Sequence, residues 1–567
     1  MEIRKLLWAA AVIAAVAVSC KKDPSGGGDK PKPDPEVITG NIQGTVVSTS
    51  GTPLEGVVVS DGLHCTKTNS KGEWGLEADL SRTDYVYVST PSDYSAPLVD
   101  GTPVFWKFLK DLTKTGDKYL NVKFTLEKID RPDRFSIIIY ADPQPRSRTA
   151  GWDNMGYHSL DCCNDMYKDM KEYVGSKLTG RPVYGIGLGD IVHRNLSLLP
   201  SHKNGLASTG IRNYNVIGNH DHDTETKYPA GTDEREAARP FEAILGPVNY
   251  SFNLGDFHIL VLDNMICPQN TDGTFNDSCN DGLRDDIWEW MQEDLKYVPT
   301  DRKIMVCAHS PMFRSIGGNE RSGSRHFRDY KLLLSHYAKV IHWAGHVHSS
   351  MNYVNKADPV IESHSVTRVT GDLWTNEYLG SNGTPRGYIV FDYDGGDFKW
   401  HFKPIYYQTG TLSGSHGGPA TPPPYTWRDW DYENGRAIMR RTGQPLDESY
   451  QMQVFAPGTY PGSDGTRYLY ANIFLWDELW KLPTFTMNGK PLVMTRVTDK
   501  SYCYSLANRE IKEYYKANNT NLAAGDYGFV TTNTESIFRV YVTDETGSGT
   551  VKVTDRFGNT YSSEISW

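Results

Sequence analysis

The chain has 567 residues, with 59 Lys+Arg against 69 Asp+Glu, a formal net charge of -10 and a pI near 5.9. That acidic balance gives no electrostatic footprint for a nucleic-acid polymer, and 34 Tyr with 14 Trp argue against disorder over most of the length. At roughly 150 residues per domain, the length predicts about three or four domains.

Residues 1–20, "MEIRKLLWAAAVIAAVAVSC", place Arg4 and Lys5 before an apolar run from Leu6 to Val18 that is too short to span a bilayer. Small residues then lead into Ser19-Cys20, a pattern that resembles the lipobox of bacterial lipoproteins. The resemblance implies cleavage before Cys20 and lipidation of that cysteine, hence an extracytoplasmic, lipid-anchored protein in the periplasm or at the outer membrane or cell surface. Residues 21–40 open with "KKDPSGGGDKPKPDP", a flexible tether with no apolar residue to bury.

Residues 41–129 consist of short β-branched runs separated by Gly, Asn and Ser turns, such as "NIQGTVVS", "GVVVSDG" and "LNVKFTLE". This spacing predicts a small β-sandwich. "GTPLEGVVVSDG" with "TNSKGEW" resembles carboxypeptidase-regulatory-like, transthyretin-like modules, which points to a spacer in preference to a ligand-binding role.

Residues 132–404 change rhythm to strands alternating with helices. "DMYKDMKEYVGSKLTG" sets Met166, Met170, Tyr173 and Val174 at helical spacing before Gly180, and "DDIWEWMQEDLKYV" repeats this with Ile287, Trp290, Met291 and Leu295. Between such helices lie "SIIIYA", "VYGIGL", "YNVI", "FHILVL", "KIMVCA" and "KVIHWA". Runs apolar on both faces predict an α/β layered core whose sheet is covered on both sides. Residues 405–449 read as a linker or long loop, and residues 450–567 return to β-rich text, with a turn at Phe557-Gly558-Asn559.

The remaining cysteines are Cys65, Cys162, Cys163, Cys267, Cys279, Cys307 and Cys503. None forms a CxxC pair, so a thiolate zinc site is not expected. An oxidising compartment permits disulfides. Cys267 with Cys279, in one Asn/Asp-rich loop, is the favoured bridge, although spacing alone leaves other pairings open.

Polar residues collect at the strand ends: Asp142, then Asp190, then Asn219, His220 and Asp221, then His309, then His346 and His348. Ligands bind outside the carboxyl ends of strands in open α/β sheets, so five strands deliver this set to one edge. Carboxylate, amide and imidazole donors together suit a pair of divalent or trivalent ions such as Zn, Mn or Fe. Such pairs deprotonate water and neutralise a phosphoryl group.

The series "YADPQ", "GDIVH", "GNHD", "AHSP", "GHVH" resembles the calcineurin-like metallophosphoesterase family. Together with the first sandwich, "SNGTPRGYIVFDYDG" and "VTDRFGN", it resembles the three-part phosphoesterases of Bacteroidetes-type bacteria. The resemblance implies a central β-sandwich with helices on both outer faces, flanked by an N-terminal Ig-like or transthyretin-like sandwich and a C-terminal β-rich domain. It implies a first metal on Asp142 and His348, a bridging Asp190, and a second metal on Asn219, His309 and His346. His220 becomes the general acid, and a metal-bridging hydroxide attacks phosphorus. Asp221 joins the catalytic set; apart from the resemblance, Arg194 and Asp221 either pair to orient His193 and His220 or are simply solvated.

The family's usual first motif is Asp-x-His, whereas this chain has Asp142-Pro143-Gln144. Purple acid phosphatases also lack that histidine and supply a tyrosine from GDxxY; here the equivalent place in "GDIVH" holds His193. The working hypothesis is that His193 fills the position vacated at Gln144, with a Gln144 carbonyl ligand as the alternative. His222 and Asp223 extend the "GNHD" loop toward substrate, Asp263 and Asn264 end "FHILVL" at the same edge, and Arg314, Arg321, Arg325 and His326 are either phosphate contacts or, more commonly for such residues, an exposed basic loop. The expected substrate is a small phosphate ester, mono- or diester. "GDIVHR" departs from the GDxVDRG of phosphoprotein phosphatases. The alternative from another class is a catalytically weakened binding lipoprotein, which Gln144 alone favours.

Overall fold

In β1 (Arg134–Tyr140), Ile137 and Ile139 point into one apolar cluster while Ile138 and Tyr140 point into another. This is the alternation of a strand buried on both faces. The computed structural model describes residues 38–146, 159–313, 323–355, 360–371, 380, 382–405, 428–431, 436–439, 447–457, 467–497 and 534–567. Cys20, Arg314, Arg321 and Cys503 lie outside the described residues. The chain divides into two units, Met1–Ile38 and Thr39–Trp567.

The central segment continues with α1 (Ser159–Lys177), β2 (Val183–Leu188), α2 (Leu199–Ala207), β3 (Arg212–Val216), α3 (Arg239–Leu245), β4 (Tyr250–Leu254) and β5 (Phe257–Leu262). Then come α4 (Asp285–Leu295), β6 (Lys303–Ala308), α5 (Phe327–Leu334), β7 (Lys339–Ala344), β8 (Met351–Val354), β9 (Ile361–Ser365), β10 (Gly387–Asp394) and β11 (Asp397–Pro404). One sheet runs β3-β2-β1-β10-β11, and the other β4-β5-β6-β7-β9-β8. Strands β1 to β3 are mutually parallel, as are β5, β6, β7 and β9. Within each sheet the carboxyl ends of the parallel strands therefore share one edge, and the contact of His309, after β6, with Asp190, after β2, brings the two edges together.

The two sheets share a core that includes Ile137, Ile139, Ile186, Leu188, Ile259, Val261 and Val306. Outside the first sheet, Met166, Met170 and Tyr173 of α1 and Leu206 of α2 pack on Ile138, Tyr140 and Val183. Outside the second, Ile287, Trp290, Met291 and Leu295 of α4 and Phe327, Tyr330 and Leu334 of α5 are all buried. This is the expected layered sandwich with helices on both faces.

The N-terminal segment forms two sheets, one of strands Cys65–Lys67, Val58–Ser60, Tyr85–Ser89 and Trp106–Phe108, the other around Ile42–Ser48 and Lys118–Lys128. It docks through buried contacts: Trp290 Nε1 donates to Tyr87 Oη at 3.0 Å, and Ser251 Oγ to Ser89 Oγ at 2.8 Å. The C-terminal segment forms two four-stranded sheets and places Phe557 edge-on to Trp400 at 4.8 Å. Within the stretch read as linker, the backbones of Arg428–Asp431 and Arg436–Met439 pair antiparallel. Among the described residues, no helix is long and apolar enough to cross a membrane.

Candidate metal centre

Each ligand-bearing loop begins directly at a strand end and turns sharply. Asp142, Gln144, Asp190, Arg194, His346 and His348 all have positive φ, between 41° and 65°. Such backbone is costly for non-glycine residues and clusters at functional sites. Close approach also dictates the preceding glycines: a Cβ on Gly218 would collide with Asp190, and one on Gly189 with the His309 ring.

The side chains converge. His309 Nε2 lies 3.2 Å from Asp190 Oδ1, from Asn219 Oδ1 and from His346 Nδ1. Ligand atoms about 2.1 Å from one ion sit roughly 3.0–3.4 Å from each other at tetrahedral or octahedral angles. The spacing therefore fits one shared cation. Asp142 Oδ1 is 3.4 Å from His348 Nε2, and Asp142, Asp190 and His309 offer ligand atoms within 4.8 Å of one another. His309 Nδ1 faces the Leu188 carbonyl at 2.8 Å, which fixes that nitrogen as donor and leaves Nε2 with its lone pair outward. Both carboxylates are fully buried, and Gln144 Oε1 is a buried acceptor without a hydrogen-bond partner. Donor chemistry, spacing and this orphaned oxygen all fit metal ions.

Electrostatics follow from burial and proximity. Against the cost of burial, His309 and His220 hold Asp190 well below the usual carboxylate range, and Asp190 raises His309 to about 9. Burial pushes His193 down to about 2, with His220, Arg146 and Arg368 acting in the same direction. Burial also lowers His220, against the pull of Asp190.

Gln144 Nε2 donates to Asp190 Oδ2, while the His193 ring packs against the His220 ring at 4.3 Å between centroids. The expected pairing of Arg194 with Asp221 is not found. Arg194 forms its ion pair with Asp277. Asp221 instead accepts backbone N–H bonds from Ile191, Val192 and Gly218 at 2.8–2.9 Å, tying the loops that carry Asp190 and Asn219. Burial and the nearby Asp190 raise its pKa to about 7 despite those three donors.

His222 does not face the open site. It is buried between Asp263 and the Gly218 carbonyl, and Arg284 closes that network on Asp263 at 2.7 Å. Asp223 caps a turn by accepting from Glu225 N and Thr226 N. Asn264 and Ser310 exchange two hydrogen bonds beside His309. Arg325 and His326 both pair with Asp285 at the start of α4.

Sequence reading missed Arg368. It is fully buried, it forms a β-bridge with Ala141, and its Nε donates to the Asp142 carbonyl at 3.3 Å. Its charge is felt at both His193 and His220. It also follows a strand, β9, at the same sheet edge. That rule would have found it had "IESHS" read as a strand.

Three family descriptions match along the chain: N terminal of calcineurin-like phosphoesterase over residues 40–129, calcineurin-like phosphoesterase over 135–350, and C terminal of calcineurin-like phosphoesterase over 420–561. The chain belongs to the calcineurin-like phosphoesterase family. No curated protein matches the chain. Solved structures similar to it include a purple acid phosphatase from yellow lupin (Lupinus luteus) seeds, at 14% identity and TM-score 0.34, covering 48% of this chain and 52% of that one. A dimetal phosphatase from Danio rerio matches at 13% identity and TM-score 0.31, covering 47% and 98%. A 5'-nucleotidase from Candida albicans matches at 14% and 0.28, covering 48% and 52%. The chain thus spans about half the length of the lupin and Candida proteins.

Proposed function

We propose that this phosphoesterase hydrolyses small phosphate esters at a two-metal centre, with His220 as proton donor, in an extracytoplasmic lipid-anchored protein. The observation that carries the reading is the convergence of Asp190, Asn219 and His346 on His309 Nε2, each at 3.2 Å. Asp142 and His348 would hold one ion, Asn219, His309 and His346 the other, and Asp190 would bridge. Bound there, ions of the Zn, Mn or Fe class would supply a nucleophile from water at neutral pH and neutralise phosphoryl charge.

The chain's own residues do the rest. Asp190 Oδ1 accepts the His220 backbone N–H at 2.9 Å, which fixes the histidine relative to the metal ligands. His220 Nδ1 is buried with no hydrogen-bond partner, so no protein group competes for a proton passed from this ring to the leaving oxygen. The buried Arg368 guanidinium, held on the Asp142 carbonyl, contributes fixed positive charge behind the site. The Cys267–Cys279 disulfide supports the extracytoplasmic assignment, because such bonds persist in oxidising compartments. The anchor itself rests on the pattern ending at Cys20.

The test is hydrolysis of para-nitrophenyl phosphate and bis-para-nitrophenyl phosphate, with elemental analysis of bound metal and His220→Ala as control. Turnover with about two ions per chain, strongly reduced in the variant, is expected, and the preferred ester assigns mono- or diesterase. A chain that holds no stoichiometric metal and turns over neither ester would refute the proposal in favour of a binding lipoprotein.

A further inference from the structure

The segment closed by Cys267 and Cys279 has no part in the ligand set, yet it forms a wall of the site. Its base is a two-stranded ladder pairing Met265 with Asp281 and Ile266 with Asn280, and Asn276 N donates to the Pro268 carbonyl at 2.9 Å. The disulfide joins the ends of the loop. Two residues before Cys279, Asp277 makes two contacts toward the site. Its carbonyl oxygen accepts from Asn219 Nδ2 at 3.2 Å, and its carboxylate pairs with Arg194. Arg194 N in turn donates to the His220 carbonyl at 2.9 Å.

A side-chain amide has one acceptor oxygen and one donor nitrogen, and the partner of the nitrogen decides where the oxygen points. With Nδ2 on the Asp277 carbonyl, Asn219 Oδ1 is turned to His309 Nε2. We propose that Asp277 is a positioning residue for the ion held by Asn219, His309 and His346, and that the Cys267–Cys279 bond holds it in place. The proposal rests on the metal-centre reading above. The ion pair alone is a weak clamp: the Arg194 side chain is 45% exposed and that of Asp277 29%, and partly exposed pairs contribute little. The covalent closure therefore carries the placement. Groups that orient a metal ligand from outside typically change metal affinity by about 10- to 100-fold when removed.

The experiment is calorimetric titration of Mn²⁺ into metal-free full-length protein, comparing wild type with Cys267→Ser/Cys279→Ser, alone and combined with Asn219→Asp. One binding event is expected to weaken by at least about tenfold in the double-serine variant, with the other unchanged. In the Asn219→Asp background the effect should vanish, since a carboxylate has no N–H to aim. If the double-serine variant fails to fold, wild-type protein with the Cys267–Cys279 bond opened by a phosphine reductant must show the same weakening of that event. Unchanged isotherms in the folded variants would overturn this proposal and leave the metal centre standing. No Mn²⁺ binding by wild type would remove the metal centre, and this proposal with it.

Discussion

Replacing Gln144 with leucine and, separately, with histidine tests whether the glutamine is a ligand or a defect. The side chain is 1% exposed, its Nε2 donates to Asp190 Oδ2, and its Oε1 is buried with no hydrogen-bond partner. An unpaired buried acceptor costs about 1–3 kcal/mol, and a cation beside Oε1 relieves that cost on binding. Converted at 1.4 kcal/mol per decade, the relief is worth roughly 5- to 150-fold in metal affinity. Gln144→Leu removes the oxygen without removing the bulk, so one of two ions should bind weaker by that factor. Gln144→His supplies an imidazole nitrogen, a better ligand for Zn or Fe than a neutral amide oxygen, and should bind that ion tighter than wild type. Histidine also tolerates the left-handed backbone at this position, where φ is 41°. Competition against a chromophoric chelator on metal-free protein reads both variants. Two ions bound by Gln144→Leu with wild-type affinity would refute the reasoning and return the vacant coordination position to His193.

Asp221→Asn keeps the shape but turns an NH₂ group toward backbone donors, so one or more charge-assisted hydrogen bonds are lost at about 1.5–3 kcal/mol each. Urea unfolding should show a loss of that order, with turnover down at least about tenfold because the Asp190 and Asn219 loops loosen together; full activity would show that the three contacts are dispensable. Arg556→Met removes the cation from buried Asp477 and one of the cations on buried Glu362, contacts of 3.2 and 2.5 Å. Breaking such pairs one-sidedly costs about 3–5 kcal/mol, visible as a lowered unfolding midpoint, and a change below about 1 kcal/mol would deny these pairs a role in docking the C-terminal sheets. His202 and His342 are each pushed down to about 3 by burial. The unfolded chain then takes up their protons first as pH falls below 6.5, so stability is lost with acidification by up to about 1.4 kcal/mol per pH unit for each histidine. Urea midpoints of metal-free protein at pH 7 and 5.5 should show this drop, and His202→Gln should make it smaller, with His342 and the likewise lowered His193 keeping the remainder.

The convergence of Asp142, Asp190, Asn219, His309, His346 and His348 was legible because the strands that lead into them are apolar on both faces. In β1, Ile137 and Ile139 serve the inter-sheet core while Ile138 and Tyr140 serve α1, so the run admits no amphipathic surface helix and ends where the chemistry begins. The Cys267–Cys279 bond was legible from local spacing. The roles of Asp221, His222 and Asp277 were not, because each depends on a partner that only the fold brings near: the Val192 N–H, the Asp263 carboxylate and the Asn219 amide. A motif names residue types at strand ends but does not say which of them faces the open site and which braces the loop from behind.

Strand β9 shows the limit most clearly. Glu362, Ser363, His364 and Ser365 are all at most 2% exposed, yet four polar residues in a row carry neither a period of two nor an apolar run. Their burial is tolerated because charge comes from elsewhere in the chain. Lys339 reaches Glu362 at 3.0 Å from β7, and Arg556 reaches it at 2.5 Å from the C-terminal sheets while stacking over Trp400 at 4.9 Å. Burial opposes ionisation of Glu362, but His364, Arg556 and Lys339 together hold its carboxyl well below the usual range. The features that hid β9 in the sequence are therefore the ones that attach the C-terminal segment. Arg368, three residues beyond β9, reaches the Asp142 carbonyl from the end of a strand whose buried Glu362 is paired by Arg556.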